Sequence, residues 1–171
     1  MSAELNGYLE RLDFLRKQAC EIIRELPEAG LNWRPLAETA QPPFNSLAAL
    51  AAHLAGAEHY WLGEIFGGLP PTRDREAEFS AYVSDSSALI HLLEKTGEET
   101  HAVLAGLSPA NLDEKRRVDN HGVSLRWAIL QVIEHSALHL GHMQITYQLY
   151  TGGLGKPSPL WFERLASQKA P

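Results

Sequence analysis

Apolar residues recur at helical spacing through most of this chain, in four long stretches broken by proline and glycine, and no strand-like alternation bounded by hairpin turns interrupts them. The first stretch runs from about Ala3 to Leu26, with Leu5, Tyr8, Leu9, Leu12, Leu15, Ala19, Ile22, Ile23 and Leu26 on one side, until Pro27 and Gly30 stop it. A loop carrying Trp33-Arg-Pro35 and Pro42-Pro43 follows. The second stretch starts at a cap candidate, Asn45 or Ser46, and ends at Gly67-Gly68; its middle, Ala48 to Ala57, is almost wholly small residues. The third spans about Ser84 to Gly106, and the fourth starts at Ser124 and stops at Gly152-Gly153. The pattern predicts an all-α protein, a four-helix bundle in which side chains from different helices build sites in the core. The segment from Gly68 to Val83 is long enough to travel the length of the bundle, so a long crossover between helices 2 and 3 is expected; Leu107 to Val123 could do the same. The tail beyond Gly155 carries Trp161 and Phe162, expected to pack on the bundle or on a second subunit.

At 171 residues with 44% hydrophobic content, the chain suits a single domain, 1–171, with a full core. Its net charge is −6, and no basic run exceeds Lys115-Arg116-Arg117, so the footprint of a nucleic-acid partner is missing. No apolar run approaches a membrane span and the N-terminus has no signal layout, so a cytoplasmic protein with no membrane partner is expected. The single cysteine, Cys20, can form no internal disulfide and no cysteine-based metal site; it reads as a buried apolar filler. Any metal must be held by His, Asp or Glu.

Histidines concentrate where that could happen. On the fourth stretch Ser124, Ala128, Gln131, His135, His139, His142, Thr146 and Leu149 form one stripe. Trp127, Leu138 and Ile145 flank it on one side and Leu125, Val132 and Met143 on the other, which places the stripe at the centre of the buried face. Burying an unpaired imidazole costs about 1 to 3 kcal/mol, so such a row needs partners or a metal. On the second stretch His53 shares its face with Ser46, Ala49, Ala57, Tyr60 and Glu64, beside Gly56, and these small neighbours leave room for an ion and part of a substrate. His53, His135 and His139 together offer three neutral nitrogen ligands with positions left open, as catalytic zinc sites require. Spacing alone balances that reading against three hydrogen-bonded core histidines. His142 reads as a fourth ligand, a base beside the metal or a pocket wall, the last two favoured. His59, His91, His101 and His121 read as solvated or loop residues, Glu58 as an exposed salt-bridging residue, and Tyr60 as packed. Trp33 and Trp127 are candidate pocket walls.

The segment Asn45-Ser-Leu-Ala-Ala-Leu-Ala-Ala-His53-Leu-Ala-Gly-Ala-Glu58, followed at a distance by Ser124-Leu-Arg-Trp127 and Glu134-His135-Ser-Ala-Leu-His139-Leu-Gly-His142, resembles the DinB/YfiT-like superfamily of metal-dependent enzymes. The resemblance spans nearly the whole chain. It implies a DinB-like four-helix bundle with the long crossover, a homodimer, and a divalent metal, zinc or nickel, on His53, His135 and His139. The branch with the Ser-Leu-Arg-Trp signature often has His where this chain has Gln131 and Glu where it has His135, so the donor set here is more positive by one charge. The expected function is a metal-dependent thiol S-transferase or hydrolase, activating a low-molecular-weight thiol or water for a small-molecule substrate. His142, Tyr60 and Gln131 are the candidates for proton transfer or substrate binding. The competing reading is a non-catalytic, dimeric, stress-related binding protein whose histidines hold a structural metal.

Overall fold

A computed structural model describes residues 2–37 and 44–153. The chain is mostly helical. Helix α1 (Ala3–Ile23) begins where the Ser2 hydroxyl accepts the Leu5 N–H, and it buries Leu5, Leu9, Leu12, Leu15, Ala19 and Ile23. A short helix α2 (Glu28–Asn32) follows. Helix α3 (Leu47–Glu58) is capped by Ser46, whose hydroxyl accepts the Ala49 N–H, and it continues as a π-helix over His59–Phe66 that ends at Gly67. Asp74 caps the short helix α4 (Arg75–Phe79). Helix α5 (Ser87–Ala105) leads through a 3₁₀ turn at Pro109–Asp113 into a hairpin, β1 (Lys115–Val118) against β2 (His121–Ser124). Helix α6 (Leu125–Tyr150), capped by the Ser124 hydroxyl, completes the order.

The four long helices pack in a ring, α1 against α5 and α6, and α3 against the same two. Contact registers give their directions. Arg24 meets Ser86, and Asp13 meets His101, so α1 and α5 run oppositely. Glu58 meets Thr100 and Gly67 adjoins Val103, so α3 and α5 run the same way. His53 meets His135 and Trp61 meets Trp127, so α3 and α6 run oppositely.

The core divides into two apolar clusters. Leu5, Leu9, Leu12, Leu62, Leu104 and Ile129 mark one end; Leu15, Ala19, Leu47, Leu50, Leu93 and Met143 mark the other. Between them Arg16, Glu58, Thr100 and Ser136 interrupt the apolar packing, one residue from each long helix. Arg16 Nη2 donates to Glu58 Oε1 at 2.5 Å, and the Thr100 hydroxyl donates to the same oxygen at 2.7 Å. Glu58, expected to be exposed, is therefore a buried partner in an ion pair.

Other expectations also need correction. The hairpin escapes the sequence pattern because its strands are four residues long and begin with the solvated Lys115-Arg116-Arg117, leaving no apolar alternation to read. Its two-residue turn places Asp119 at φ 51°, a conformation Asp tolerates better than most residues. The first helix stops at Ile23, short of Leu26, and the third begins at Ser87, after Ser84. On α6 the buried arc runs through Leu125, Ala128, Ile129, Val132, Ser136, Leu140, Met143 and Thr146. Trp127, Leu138, Ile145 and Leu149 are exposed. The histidine stripe thus lies at the border of the buried face, not at its centre: α1, α3 with its π-helical extension, the 3₁₀ turn and β2 pack on α6, while Leu138, Ile145 and Leu149 beside the histidines stay exposed. Among the described residues no helix is long and apolar enough to cross a membrane. Pro42-Pro43 and the tail with Trp161 and Phe162 lie outside the described residues.

Candidate metal centre

Helices α3 and α6 bring His53, His135 and His139 together across their shared groove. One ligand-competent nitrogen from each ring can be chosen so that all lie within 4.8 Å of one another. His53 is buried, and the other two are half-buried at the groove's edge. His53 Nε2 and His135 Nε2 are 3.0 Å apart, and the His139 ring centroid stands 4.4 Å from that of His135 and 4.9 Å from that of His53. Two nitrogens about 2.1 Å from one ion and at right angles on it would be about 3 Å apart, so the His53 and His135 nitrogens are spaced for a shared ion. The other ring nitrogen of His135, Nδ1, is buried with no hydrogen-bond partner among the described residues. These three residues could hold a divalent cation.

His53 and His139 are held from outside the triad. His53 Nδ1 donates to Glu78 Oε2 at 2.8 Å, which leaves Nε2 as the free donor atom. Glu78 in turn accepts from Arg73, Nε to Oε1 at 2.7 Å and Nη2 to Oε2 at 3.0 Å. Phe79 lies against the His53 ring at 4.7 Å. Gly56 makes room for this arrangement, since a Cβ there would collide with the Glu78 carboxylate. His142 Nδ1 is 3.2 Å from His139 Nδ1. It stands outside the three-nitrogen group, as an orienting neighbour of His139.

Burial keeps these imidazoles neutral. It lowers the His53 pKa, with the Glu78 hydrogen bond opposing only in part. Burial, then His139 and His53, push His135 down to about 4; burial, then His53 and His142, take His139 to about 4. Burial alone would raise Glu78, but the Arg73 and His53 hydrogen bonds outweigh it and hold the carboxyl below its usual range. All three histidines are therefore competent ligands at neutral pH. A pH dependence follows for the metal-free protein. An unfolded chain protonates a histidine near its ordinary value of about 6.5, whereas folded His135 and His139 resist until about 4. The unfolded state binds more protons inside that window, so stability is fully present above about 6.5, declines as the pH falls and is lost through about 4. The melting temperature of metal-free protein should fall between about pH 7 and pH 4.5, and less so in His135→Gln, which removes one of the protons taken up.

The other candidates scatter. Gln131 is half-buried one turn before His135. Tyr60 lies in the π-helix, with the Arg73 guanidinium 5.5 Å from its ring centre. It helps line a cavity of about 580 Å³ between α6, the π-helix and the hairpin, walled by Trp61 and Trp127, whose rings meet edge to face at 5.3 Å. Trp127 is a pocket wall, as expected; Trp33 instead packs on Tyr150 at 5.9 Å. His59 is not solvated, since it bonds Glu99 at 2.8 Å and contacts Thr72. Glu64 accepts the N–H groups of Thr72 and Arg73. Sequence reasoning missed Glu78 and Arg73. Both lie in the segment between long helices, where no periodicity ties a residue to a site.

Residues 8–152 match the family model for mycothiol S-transferase. The chain belongs to that family. Its fold also resembles a conserved protein from Enterococcus faecalis, with a TM-score of 0.70 and 20% identity over 89% of this chain and 99% of that one. A DinB-like protein from Bacillus subtilis superposes with a TM-score of 0.63 and 19% identity, covering 94% of this chain and 97% of that one. No protein of curated function matches. The mycothiol S-transferase model thus takes in every one of the three histidines, Glu78, Arg73 and the aromatic cavity, and the all-α DinB-like fold is shared with both solved structures.

Proposed function

We propose that this protein is a metal-dependent S-transferase that joins the sulfur of a low-molecular-weight thiol, of the mycothiol kind, to an electrophilic carbon. The observation that carries the reading is the convergence of three neutral imidazoles at the border of solvent, in a chain of the mycothiol S-transferase family. His53, His135 and His139 would hold a divalent ion, with zinc or nickel suited to nitrogen donors, and the chemistry it would supply there is Lewis acidity toward a thiol. The donor set adds no negative charge of its own, and only Glu78, through His53, lends it carboxylate character.

The single cysteine is poorly placed to compete with an external thiol. Cys20 is buried and its thiol is pushed up by burial, then by Glu94. His142, exposed beside His139, accepts the S–H proton as the S–C bond forms and the leaving group departs with its electron pair. Gln131 and Tyr60 lie along the groove toward the aromatic cavity, where they hydrogen-bond the substrate body. Trp61 and Trp127 supply its apolar wall.

The test is consumption of a chromogenic electrophile by purified protein with and without mycothiol. Turnover should require the thiol, vanish with a chelator and return with zinc or nickel. Metal-dependent turnover that ignores the thiol would replace this reading with hydrolysis. Trp127→Ala should raise KM for the electrophile by roughly tenfold while changing kcat little, the mark of a binding wall rather than a reacting group.

A further inference from the structure

One route by which residues between α3 and α5 reach the histidines begins on the π-helix. Glu64 Oε1 accepts the backbone N–H of Thr72 at 2.8 Å and of Arg73 at 2.9 Å, pinning this connecting segment to the π-helical face. The Thr72 hydroxyl adds a contact of 3.1 Å to His59 Nε2, and His59 is itself held by Glu99. With its backbone fixed, Arg73 lies between Tyr60 and Glu78 and engages both carboxylate oxygens of Glu78. Glu78 Oε2 then accepts from His53 Nδ1.

We infer that Arg73, anchored by Glu64, is a positioning residue that holds Glu78 against His53 and so commits the His53 ring to presenting Nε2 to the site. The reason is geometric. A carboxylate on a five-residue helix, with only His53 to hold it, is free to rotate about its side-chain torsions, whereas a planar guanidinium engaging both oxygens fixes the carboxylate plane. The side chains of Arg73 and Glu78 are 15% and 8% exposed, so water competes little for these bonds. With Glu78 locked, the Nδ1 proton of His53 has an acceptor and the ring has one favoured tautomer. Without Arg73 the carboxylate is free to swing away, and the two tautomers of His53 approach one another in energy.

The inference deepens the metal-centre reading, and its first readout does not depend on it. In metal-free protein, ¹⁵N–¹H correlation of the histidine rings should show His53 as the single Nδ1–H tautomer in the native chain and as a mixture in Arg73→Gln. Arg73→Lys keeps the charge but not the fork, and should fall between the two. The second readout is Zn²⁺ affinity by competition with a chromophoric chelator, expected to fall roughly 10- to 100-fold in Arg73→Gln and less in Arg73→Lys. Thermal melts monitor folding. If Arg73→Gln does not fold, Glu64→Ala, which frees the residue 72–73 backbone while keeping the guanidinium, should shift both readouts in the same direction by a smaller amount. A folded variant with the native His53 tautomer overturns the inference. A native chain that binds no Zn²⁺ would overturn the metal centre instead, while the tautomer readout still decides the role of Arg73.

Discussion

Replacing His53 or His139 with alanine is expected to reduce bound metal from about one ion per chain to under about a tenth of that, since two nitrogen donors and water cannot match three converging imidazoles. Thiol-dependent turnover should fall with it. Elemental analysis of purified variants reads the first effect and the transferase assay the second. The controls follow from the geometry. His142→Ala should keep its metal, because His142 orients His139 from outside the three-nitrogen group. His59→Ala should also keep it, since that ring bonds Glu99 and points its contacts toward Thr72. Full metal content surviving both His53→Ala and His139→Ala would remove the proposed centre altogether.

Glu58→Ala should be the most destabilising single change in the polar belt, by about 3 to 5 kcal/mol, because it leaves a buried guanidinium without its main partner. The Arg16 and Glu58 side chains are 9% and 6% exposed, and among the described residues only Asp13 remains as an ion-pair partner of Arg16 after the change. Burial alone would push the Arg16 pKa down; Glu58 and Asp13 beside it together more than offset that. Thr100 loses its acceptor as well. The double replacement Arg16→Met with Glu58→Leu removes both charges together and should recover most of the loss. Urea denaturation of the two variants beside the native chain measures this: a Glu58→Ala loss below about 1 kcal/mol would mean that the belt is hydrated and not a buried pair.

Much of the site was legible because a long helix makes sequence spacing into geometry. His135 and His139 lie four residues apart on α6, which puts both rings on one face whatever packs against it. His53 stood out by its setting, an imidazole among alanines and glycine on a helix otherwise lacking polar groups at that level. The depth of the stripe was not legible. Periodicity shows that Trp127, Leu138 and Ile145 neighbour the histidines, but how far they are covered depends on which elements pack on α6: Trp127 meets Trp61 of the π-helix yet stays exposed, as do Leu138 and Ile145. The same limit hid the role of Glu58, which looks like an ordinary helix-surface carboxylate until Arg16 and Thr100 arrive from other helices.

The sequence by itself determined the long helices, their approximate ends, the family pattern and that His135 and His139 share a face, since all of these rest on local spacing and on motifs in order. Only the tertiary structure decided which carboxylate orients His53. Glu78 is 25 residues from its partner, on a short helix whose position is set by Glu64 and Arg73 rather than by any repeat. A hydrogen bond acts over about 3 Å, and no spacing rule carries that precision across a connecting segment.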